Sequence, residues 1–198
     1  VHAGVPGRHF ELLRQKEVIE KLDTKFRVQG FRILTGAEVN IMKDGSLDIA
    51  DAVLRKLDVV GAAVHSHFKL SRDEQTKRVI RAMENPHVDI IFHLTGRIIN
   101  RRGPIEINIK EVIKVAKQTG TVLEINAYPD RSDLKDEYIR MCVEAGVRMA
   151  INSDAHAAGH FKYLEHGIAQ ARRGWATRRD IINAWPREKM LKFLKNRE

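Results

Sequence analysis

The chain has 198 residues, of which 43% are hydrophobic and 31% are charged, and its formal net charge is +9 at pH 7. These values suit one soluble domain with a substantial core and exclude a disordered chain, while the basic balance favours polyanionic partners, nucleic acid first. The single cysteine, Cys142, excludes an internal disulfide framework and a cysteine-based zinc finger. No apolar run approaches the ~18 residues of a membrane-spanning helix, so no membrane partner is expected.

Helical and strand patterns alternate along the chain. In chain order they predict a helix over 10–26, a strand over 32–41, a helix over 49–57, a strand over 58–64, a helix over 71–83, a strand over 88–92, a helix over 109–118, a strand over 121–125, a helix over 134–145 and a strand over 147–151. Strands that alternate with helices predict an α/β fold with a parallel sheet.

Several predicted helices carry recognisable end signals. Ser71 and Glu74 have the spacing of a capping box, and Gly120 and Gly146 are placed to end helices in the left-handed conformation. These signals support the helix boundaries independently of the apolar periodicity.

Residues 161–198 form a basic tail that carries +6 of the net charge and both tryptophans. Thr177 with Asp180 predicts the cap of one short helix, and Pro186 predicts the start of another. Basic segments with aromatic residues can contact nucleic acid, although such a tail is more often amphipathic, with packed aromatics and solvated charges.

Polar side chains recur at the predicted strands, at intervals of 27 to 33 residues, which is about one β/α unit. They are Glu38, His65, His93, Asn126 and Asp154 with His156. Because parallel strands end at one face, these side chains should converge there. Histidines and carboxylates at one focus are the ligand set of zinc, manganese or iron.

The alternative for each of these histidines is a hydrogen-bonded structural role, which is the more common fate of a lone histidine at a strand end. The shared register of several such residues favours a metal site instead. His67 is expected to be a loop residue if the second strand ends at His65, and Cys142 is expected to fill the core within a helix.

Basic side chains follow the strands as well, among them Lys69, Arg97 and Arg131. Guanidinium groups bind phosphate in a bidentate manner, so arginines around a metal focus suggest a phosphoester substrate. Arg97, four residues after His93, is the preferred phosphate ligand. The alternative is that solvated loops carry charge in any case, and for Arg101 and Arg102 the two interpretations are about equal.

Eight motifs together resemble the PHP (polymerase and histidinol phosphatase) family, in the form found at the C-terminus of bacterial and archaeal family X DNA polymerases. They are GAEVN at 36–40, DGSLD at 44–48, VHS at 64–66, ENPHVD at 84–89, HLTGR at 93–97, LEINA at 123–127, INSDAH at 151–156 and ARRGW at 171–175. The likeness extends over nearly the whole chain.

The resemblance implies a distorted seven-stranded β/α barrel with up to three zinc or manganese ions at its C-terminal face. Glu38 would bridge two metals, His65 and His93 would complete the second, Asp154 would bind the first and His156 the third. Glu38, His65 and His93 therefore form the one ligand set that is complete in this chain.

The family's early His-x-His motif and a second motif ending in Asp-His normally precede the point where this chain begins. We therefore expect a single PHP-like domain over 1–198 with about five of the seven strands. An incomplete barrel exposes a sheet edge, which we expect a homodimer, a domain swap or upstream residues to cover.

The leading hypothesis is a metal-dependent phosphoesterase, acting as a 3′–5′ exonuclease or 3′-end processor on DNA beside an upstream repair polymerase domain, in the cytoplasm at the nucleoid. Glu38, Asp154 and Arg97 would be the catalytic residues, and Arg97, Arg131 and Lys69 would bind phosphate or DNA. The alternatives are a non-catalytic DNA-binding accessory domain and a small-molecule phosphatase of the histidinol-phosphate type.

Overall fold

The computed structural model describes residues 6–195 and contains one parallel sheet of five strands in the order of the sequence. The strands are β1 Gly36–Asn40, β2 Val59–Ala63, β3 Ile90–Ile91, β4 Val122–Asn126 and β5 Met149–Asn152. The helices are α1 Pro6–Arg27, α2 Asp51–Leu54, α3 Arg72–Met83, α4 Ile109–Thr119, α5 Asp136–Ala145, α6 Leu164–Arg173 and α7 Arg187–Lys195. The prediction of an α/β fold with parallel strands is confirmed, and the arrangement is that of a partial PHP-type barrel.

Three of the predicted helix-end signals, at Ser71 with Glu74, at Gly120 and at Gly146, are confirmed. Ser71 and Glu74 form a complete capping box at the start of α3. Gly120 and Gly146 adopt φ angles of 69° and 72°, the left-handed region in which a side chain would be strained. Cys142 is fully buried in the core, as expected, and burial raises the pKa of its thiol to about 12.

One predicted helix start in the tail is wrong. The Thr177 N–H and hydroxyl both donate to the Asp180 carboxylate at 2.8 Å, but no α-helix follows. Instead Ile181 forms a parallel bridge with Met149, and the Met149 N–H donates to the Asp180 carbonyl. The sheet edge draws the backbone into an extended conformation, and this tertiary pairing overrides the local cap. The second prediction is confirmed, because α7 begins directly after Pro186.

The two faces of the sheet contact different parts of the chain. Outward-facing strand residues such as Val60, Leu123 and Ile125 belong to the main core, which the helices cover. Inward-facing residues alternate with them along each strand, as the two-residue period of a strand requires. These belong to a second cluster, made by Val59, Ile90, Phe92, Val122 and Ala150 with tail residues Ile182, Trp185, Met190, Phe193 and Leu194.

Helix α7 closes the inner face at the N-terminal end of the sheet. Its Leu194 is 3% exposed within the second cluster. Its last residue, Lys195, donates to the Leu57 carbonyl at 3.2 Å and lies 3.6 Å from the Asp89 carboxylate. Leu57 lies two residues before β2, and Asp89 immediately precedes β3. The tail is therefore a plug at one end of the inner face, and the polar strand ends lie at the other.

On the outer side of β1, no strand pairs with the sheet within residues 6–195. The expected cover by a homodimer, a domain swap or upstream residues stays a prediction. Among the helices of the described part of the chain, none has the length and apolar character needed to span a membrane.

Candidate metal centre

Three of the predicted ligands converge on one carboxylate oxygen. Nε2 of His65 lies 3.0 Å from Glu38 Oε1, and Nε2 of His93 lies 2.9 Å from the same atom. The ligand atoms of the three residues all lie within 4.8 Å of one another. They come from three different strands or strand ends, 55 residues apart along the chain at the extremes, so the parallel sheet alone brings them together.

Strand geometry explains this convergence. Glu38 is the middle residue of β1 and is on the same side as the inward-facing residues. His65 and His93 each follow the end of a strand by two residues. His93 has a φ angle of +28°, an uncommon value for a non-glycine residue that costs of order 1–3 kcal/mol. Such strain persists only where the surroundings hold the residue in place, and here it aims the ring at Glu38.

The hydrogen bonds around His65 fit a bound cation. The Asn40 side-chain amide donates to Asp48 Oδ2, which leaves Asn40 Oδ1 to accept from Nδ1 of His65 at 2.7 Å. In the neutral imidazole, Nδ1 then carries the proton and Nε2 presents its lone pair to the Glu38 carboxylate. Two acceptors at 3.0 Å repel unless a proton or a metal ion lies between them, and two imidazoles with one carboxylate are a zinc-type donor set.

The charge of Glu38 is also suited to ligation. Burial by itself raises the pKa of the Glu38 carboxyl, but where a proton rather than a metal ion lies between the atoms, the hydrogen bonds from His65 and His93 outweigh burial and hold that pKa well below its usual range. Glu38 is therefore ionised at neutral pH and available as an anionic ligand.

Behind the three ligands lies a cavity of about 220 Å³ at the inner face of the sheet. Its polar lining consists of Glu38, His93, Glu124, Asn126, Asn152 and Asp154. Glu124 is buried and accepts hydrogen bonds from the His93 N–H at 2.6 Å, from Asn126 at 3.1 Å and from Asn152 at 2.9 Å. Burial raises the pKa of Glu124 to about 7.

Asp154 lines the same cavity but lies outside the three-residue cluster. Its Oδ2 accepts from the Asn126 amide and from Arg131 Nε, both at 3.1 Å. It too has a positive φ angle, 51°. His156 is 74% exposed, and its Nδ1 lies 2.8 Å from the Asp154 carbonyl oxygen. The structure thus places these two predicted ligands beside the cluster, at the rim, and their roles stay predictions.

The three basic residues predicted to bind phosphate have different surroundings. Arg97 donates from Nε to the Arg131 carbonyl at 2.7 Å and from Nη2 to the Ser132 carbonyl, so two of its five N–H donors bind the loop after β4. Arg131 forms an ion pair with Asp154, and its Nη1 is buried without a hydrogen-bond partner within the described residues. Lys69 is exposed. The phosphate-binding roles of all three residues stay predictions.

Sequence reasoning missed the residues that hold the ligands in place. Asn40 and Asp48 orient His65, and Glu124 holds the backbone of His93. A signal existed for two of them, because Asn40 and Glu124 are each two residues from another inward-facing polar residue on the same strand. No local pattern indicates that Asp48 reaches back to Asn40.

Comparisons with known proteins agree with this geometry, although no family model matches the chain. The chain is 40% identical over 187 residues to the DNA polymerase/3′-5′ exonuclease PolX of Bacillus subtilis, a match that covers 94% of this chain and 32% of the relative. It is 34% identical over 167 residues to a probable phosphatase of Thermoanaerobacter sp., covering 79% of this chain and 66% of the relative.

A third match is to a probable phosphatase of Clostridium botulinum, 31% identical over 182 residues, covering 86% of this chain and 71% of the relative. The chain thus spans a third of the polymerase and about two thirds or more of the two phosphatases. The motifs, the partial barrel and these matches together lead to one assignment: the chain belongs to the PHP family.

Proposed function

We propose that the chain is a metal-dependent phosphoesterase module that removes nucleotides from the 3′ end of DNA. The observation that carries the proposal is the convergence of two imidazoles and an ionised carboxylate at the mouth of a polar cavity. Glu38, His65 and His93 would hold a zinc or manganese ion, which when bound supplies an activated water and neutralises charge on the phosphoryl oxygens.

The reaction is hydrolysis of the terminal phosphodiester. Water adds to phosphorus and the bond from phosphorus to the 3′ oxygen breaks, which releases a nucleoside 5′-monophosphate and leaves a new 3′ hydroxyl. Arg131 binds the phosphate through the exposed part of its guanidinium group while Nε stays paired with Asp154. Asn40 and Glu124 keep the histidine rings in place, and no serine or cysteine nucleophile is required.

An aromatic cluster at the rim favours a nucleotide over a small phosphoester. The ring of Tyr128 lies 5.5 Å from that of His160 and 5.2 Å from that of Tyr163, and His160 and Tyr163 are stacked at 5.0 Å. His156 lies 6.3 Å from Tyr128, so the cluster adjoins the Asp154 side of the cavity. Nucleobases stack on such rings irrespective of their sequence.

The wider context follows from the matches. We propose that the chain is a single PHP-type domain with a basic helical tail, part of a longer polypeptide whose polymerase domain lies upstream. This proposal is supported by a match that covers 94% of the chain and 32% of a DNA polymerase/exonuclease. A role in DNA repair in the cytoplasm, at the nucleoid, is the setting that this arrangement favours.

The test is release of mononucleotides from 3′-labelled single-stranded DNA with added manganese or zinc. The His65→Ala variant should lose the activity, and the matched His87→Ala variant, which alters a histidine before β3 at the opposite end of the sheet, should keep it. Equal activity of the two variants would contradict the proposal.

A small-molecule phosphatase is the second candidate, and the probable phosphatases among the relatives support it. The same protein samples should therefore be assayed on p-nitrophenyl phosphate. Metal-dependent turnover of this compound, with no release of mononucleotides from DNA, would replace the first proposal with the second.

A further inference from the structure

A wide basic groove lies at the end of the sheet opposite the metal centre. Its volume is about 780 Å³, and its lining includes Arg148, Arg178, Arg179, Trp185, Lys189 and Lys192. Arg148 immediately precedes β5, and Arg178 and Arg179 precede the segment that pairs with the start of β5. The groove is therefore at the N-terminal ends of the strands, whereas the metal ligands are at the C-terminal ends.

Within the described residues, four of the five groove cations have no ion-pair partner. Arg178, Arg179, Lys189 and Lys192 are exposed and form no ion pair with any residue of the described range 6–195. Arg148 is paired with Asp180, whose carboxylate lies 3.6 Å from it and also accepts from Thr177. Five cations confined in this way repel one another, and an anion that enters the groove relieves the repulsion.

The indole of Trp185 organises these cations. Lys189 Nζ lies 4.3 Å from the ring centroid and the Arg148 guanidinium 5.6 Å from it, while the indole N–H donates to the Arg178 carbonyl at 3.0 Å. Arg148 in turn donates to the Arg179 carbonyl at 3.2 Å. Cation–π contacts thus hold the charged groups of Lys189 and Arg148 beside the ring, and hydrogen bonds to the carbonyls of Arg178 and Arg179 hold the backbone of these two arginines next to it.

We propose that this groove is a second binding site, for the sugar–phosphate backbone of single-stranded nucleic acid, and that it works without metal ions. Three guanidinium groups suit phosphodiester oxygens, which they bind in pairs of hydrogen bonds. The groove has cations along its lining and the ring of Trp185 as one wall. It therefore suits a single strand, whose unpaired bases can contact the ring, better than a duplex, whose bases are paired with each other. The site is separate from the metal centre, so it holds a part of the strand that is not being cleaved.

The test is fluorescence anisotropy of a labelled single-stranded oligonucleotide with the full chain in EDTA, titrated at several salt concentrations. The double variant Arg178→Ala/Arg179→Ala should bind roughly tenfold more weakly, and the dependence of log affinity on log salt should fall by about 1 for each lost phosphate contact. The matched control, Lys110→Ala/Lys114→Ala, removes two exposed cations from α4 and should bind as the parent does.

Two further measurements keep the test decisive. The Arg178→Lys/Arg179→Lys variant retains the charges and should recover most of the affinity, which excludes misfolding as the cause of the loss. His65→Ala should bind normally in EDTA, so a failure of the metal-centre proposal would not affect this result. Unchanged binding by the double alanine variant, or equally strong competition by polyglutamate, would overturn the proposal, and the latter would indicate an acidic protein segment as the occupant.

Discussion

The two ends of the inner sheet face are built for opposite tasks from the same strands. At the N-terminal end the inward-facing residues are Val59, Ile90, Val122 and Ala150, which pack against the tail plug. Further along the same strands the inward-facing residues become polar, with Glu124, Asn126 and Asn152 lining the cavity. Apolar burial at one end stabilises the sheet, and this rigidity allows the other end to hold strained and charged groups in place.

The difference also extends to charge. At the metal centre an ionised carboxylate lies among histidines, and the nearby Arg131 is paired with Asp154. At the opposite end, Arg148 is the one groove cation with an ion-pair partner among the described residues. One end is suited to holding a cation and the other to holding an anion, so the two ends should respond separately to mutation.

The largest effect is expected from removing a ligand at the polar end. His93→Ala should lower phosphoesterase activity by at least about 10³-fold and abolish metal retention, because one imidazole of the three-ligand set is lost. Metal content by plasma mass spectrometry, on protein purified without chelator, measures the site independently of turnover.

The control for this prediction is His87→Ala, which removes a histidine at the other end of β3. It should retain the parent's metal content and activity. If His93→Ala keeps its metal, the cluster of Glu38, His65 and His93 is a hydrogen-bonded structural feature and the assignment fails.

The next effect is expected at the plug. Leu194→Ala should lower the free energy of unfolding by about 2–4 kcal/mol, because it removes a buried leucine from the second cluster and leaves a cavity. Chemical denaturation measures the loss. Lys192→Ala, on the exposed side of the same helix, should change stability by less than about 0.5 kcal/mol.

Metal content of the folded Leu194→Ala protein should equal that of the parent. A matching loss of metal would mean that the two ends of the sheet are coupled, and the division of tasks described above would then be wrong.

The polar end was more predictable from sequence than the plug. Glu38, His65 and His93 could be assigned because parallel strands place their C-terminal ends at one edge, whatever the exact strand lengths. Four of the five strands proved shorter than the apolar runs, and β3 has only two residues, Ile90–Ile91. The convergence did not depend on those boundaries.

The role of the tail could not be derived in the same way. Residues such as Trp185, Phe193 and Leu194 show an ordinary amphipathic pattern. The pattern indicates that these side chains are buried, but it does not indicate which part of the chain they pack against. The parallel bridge of Ile181 to Met149 is a long-range pairing, and it decides both the end of the turn at Thr177 and the position of α7. Local signals carry no information on such contacts.

A smaller effect is expected from the buried support of the metal centre. Glu124→Leu should lower metal affinity about 10- to 100-fold, because the His93 N–H loses its acceptor and the strained backbone is released. Glu124→Gln should stay near the parent value, since its carbonyl oxygen can accept from His93 while the Asn152 amide turns to accept from the new N–H₂ group.

Metal titration followed by calorimetry separates the two variants. Equal affinities for the leucine and glutamine variants would mean that Glu124 does not position His93. The two variants need not be equally stable, because the quantity compared is the affinity of each folded protein for the metal ion.

The smallest effect is expected before β1, at a carboxylate that belongs to neither end. Asp23 of α1 accepts from Arg27, from the Ile33 N–H at 2.8 Å and from Arg32 at 3.0 Å, and these bonds connect α1 to the segment that leads into β1. Hydrogen bonding by Arg27, then by Ile33 and Arg32, lowers the pKa of Asp23 from 3.8 to about 2. A carboxyl whose pKa is lower in the folded chain stabilises the fold above pH 4.

That contribution is lost as the pH falls from 4 to 2, because the folded state must then take up a proton that the unfolded state has already bound. Asp23→Asn should therefore be less stable than the parent at pH 7, and the difference should shrink across this window when thermal unfolding is followed at low ionic strength. Metal content at neutral pH should not change, because α1 contributes no ligand to the Glu38 cluster. A stability difference that is the same at pH 2 and pH 7 would mean that the Asp23 contacts act through packing rather than charge, and that α1 is attached to the sheet by its apolar residues alone.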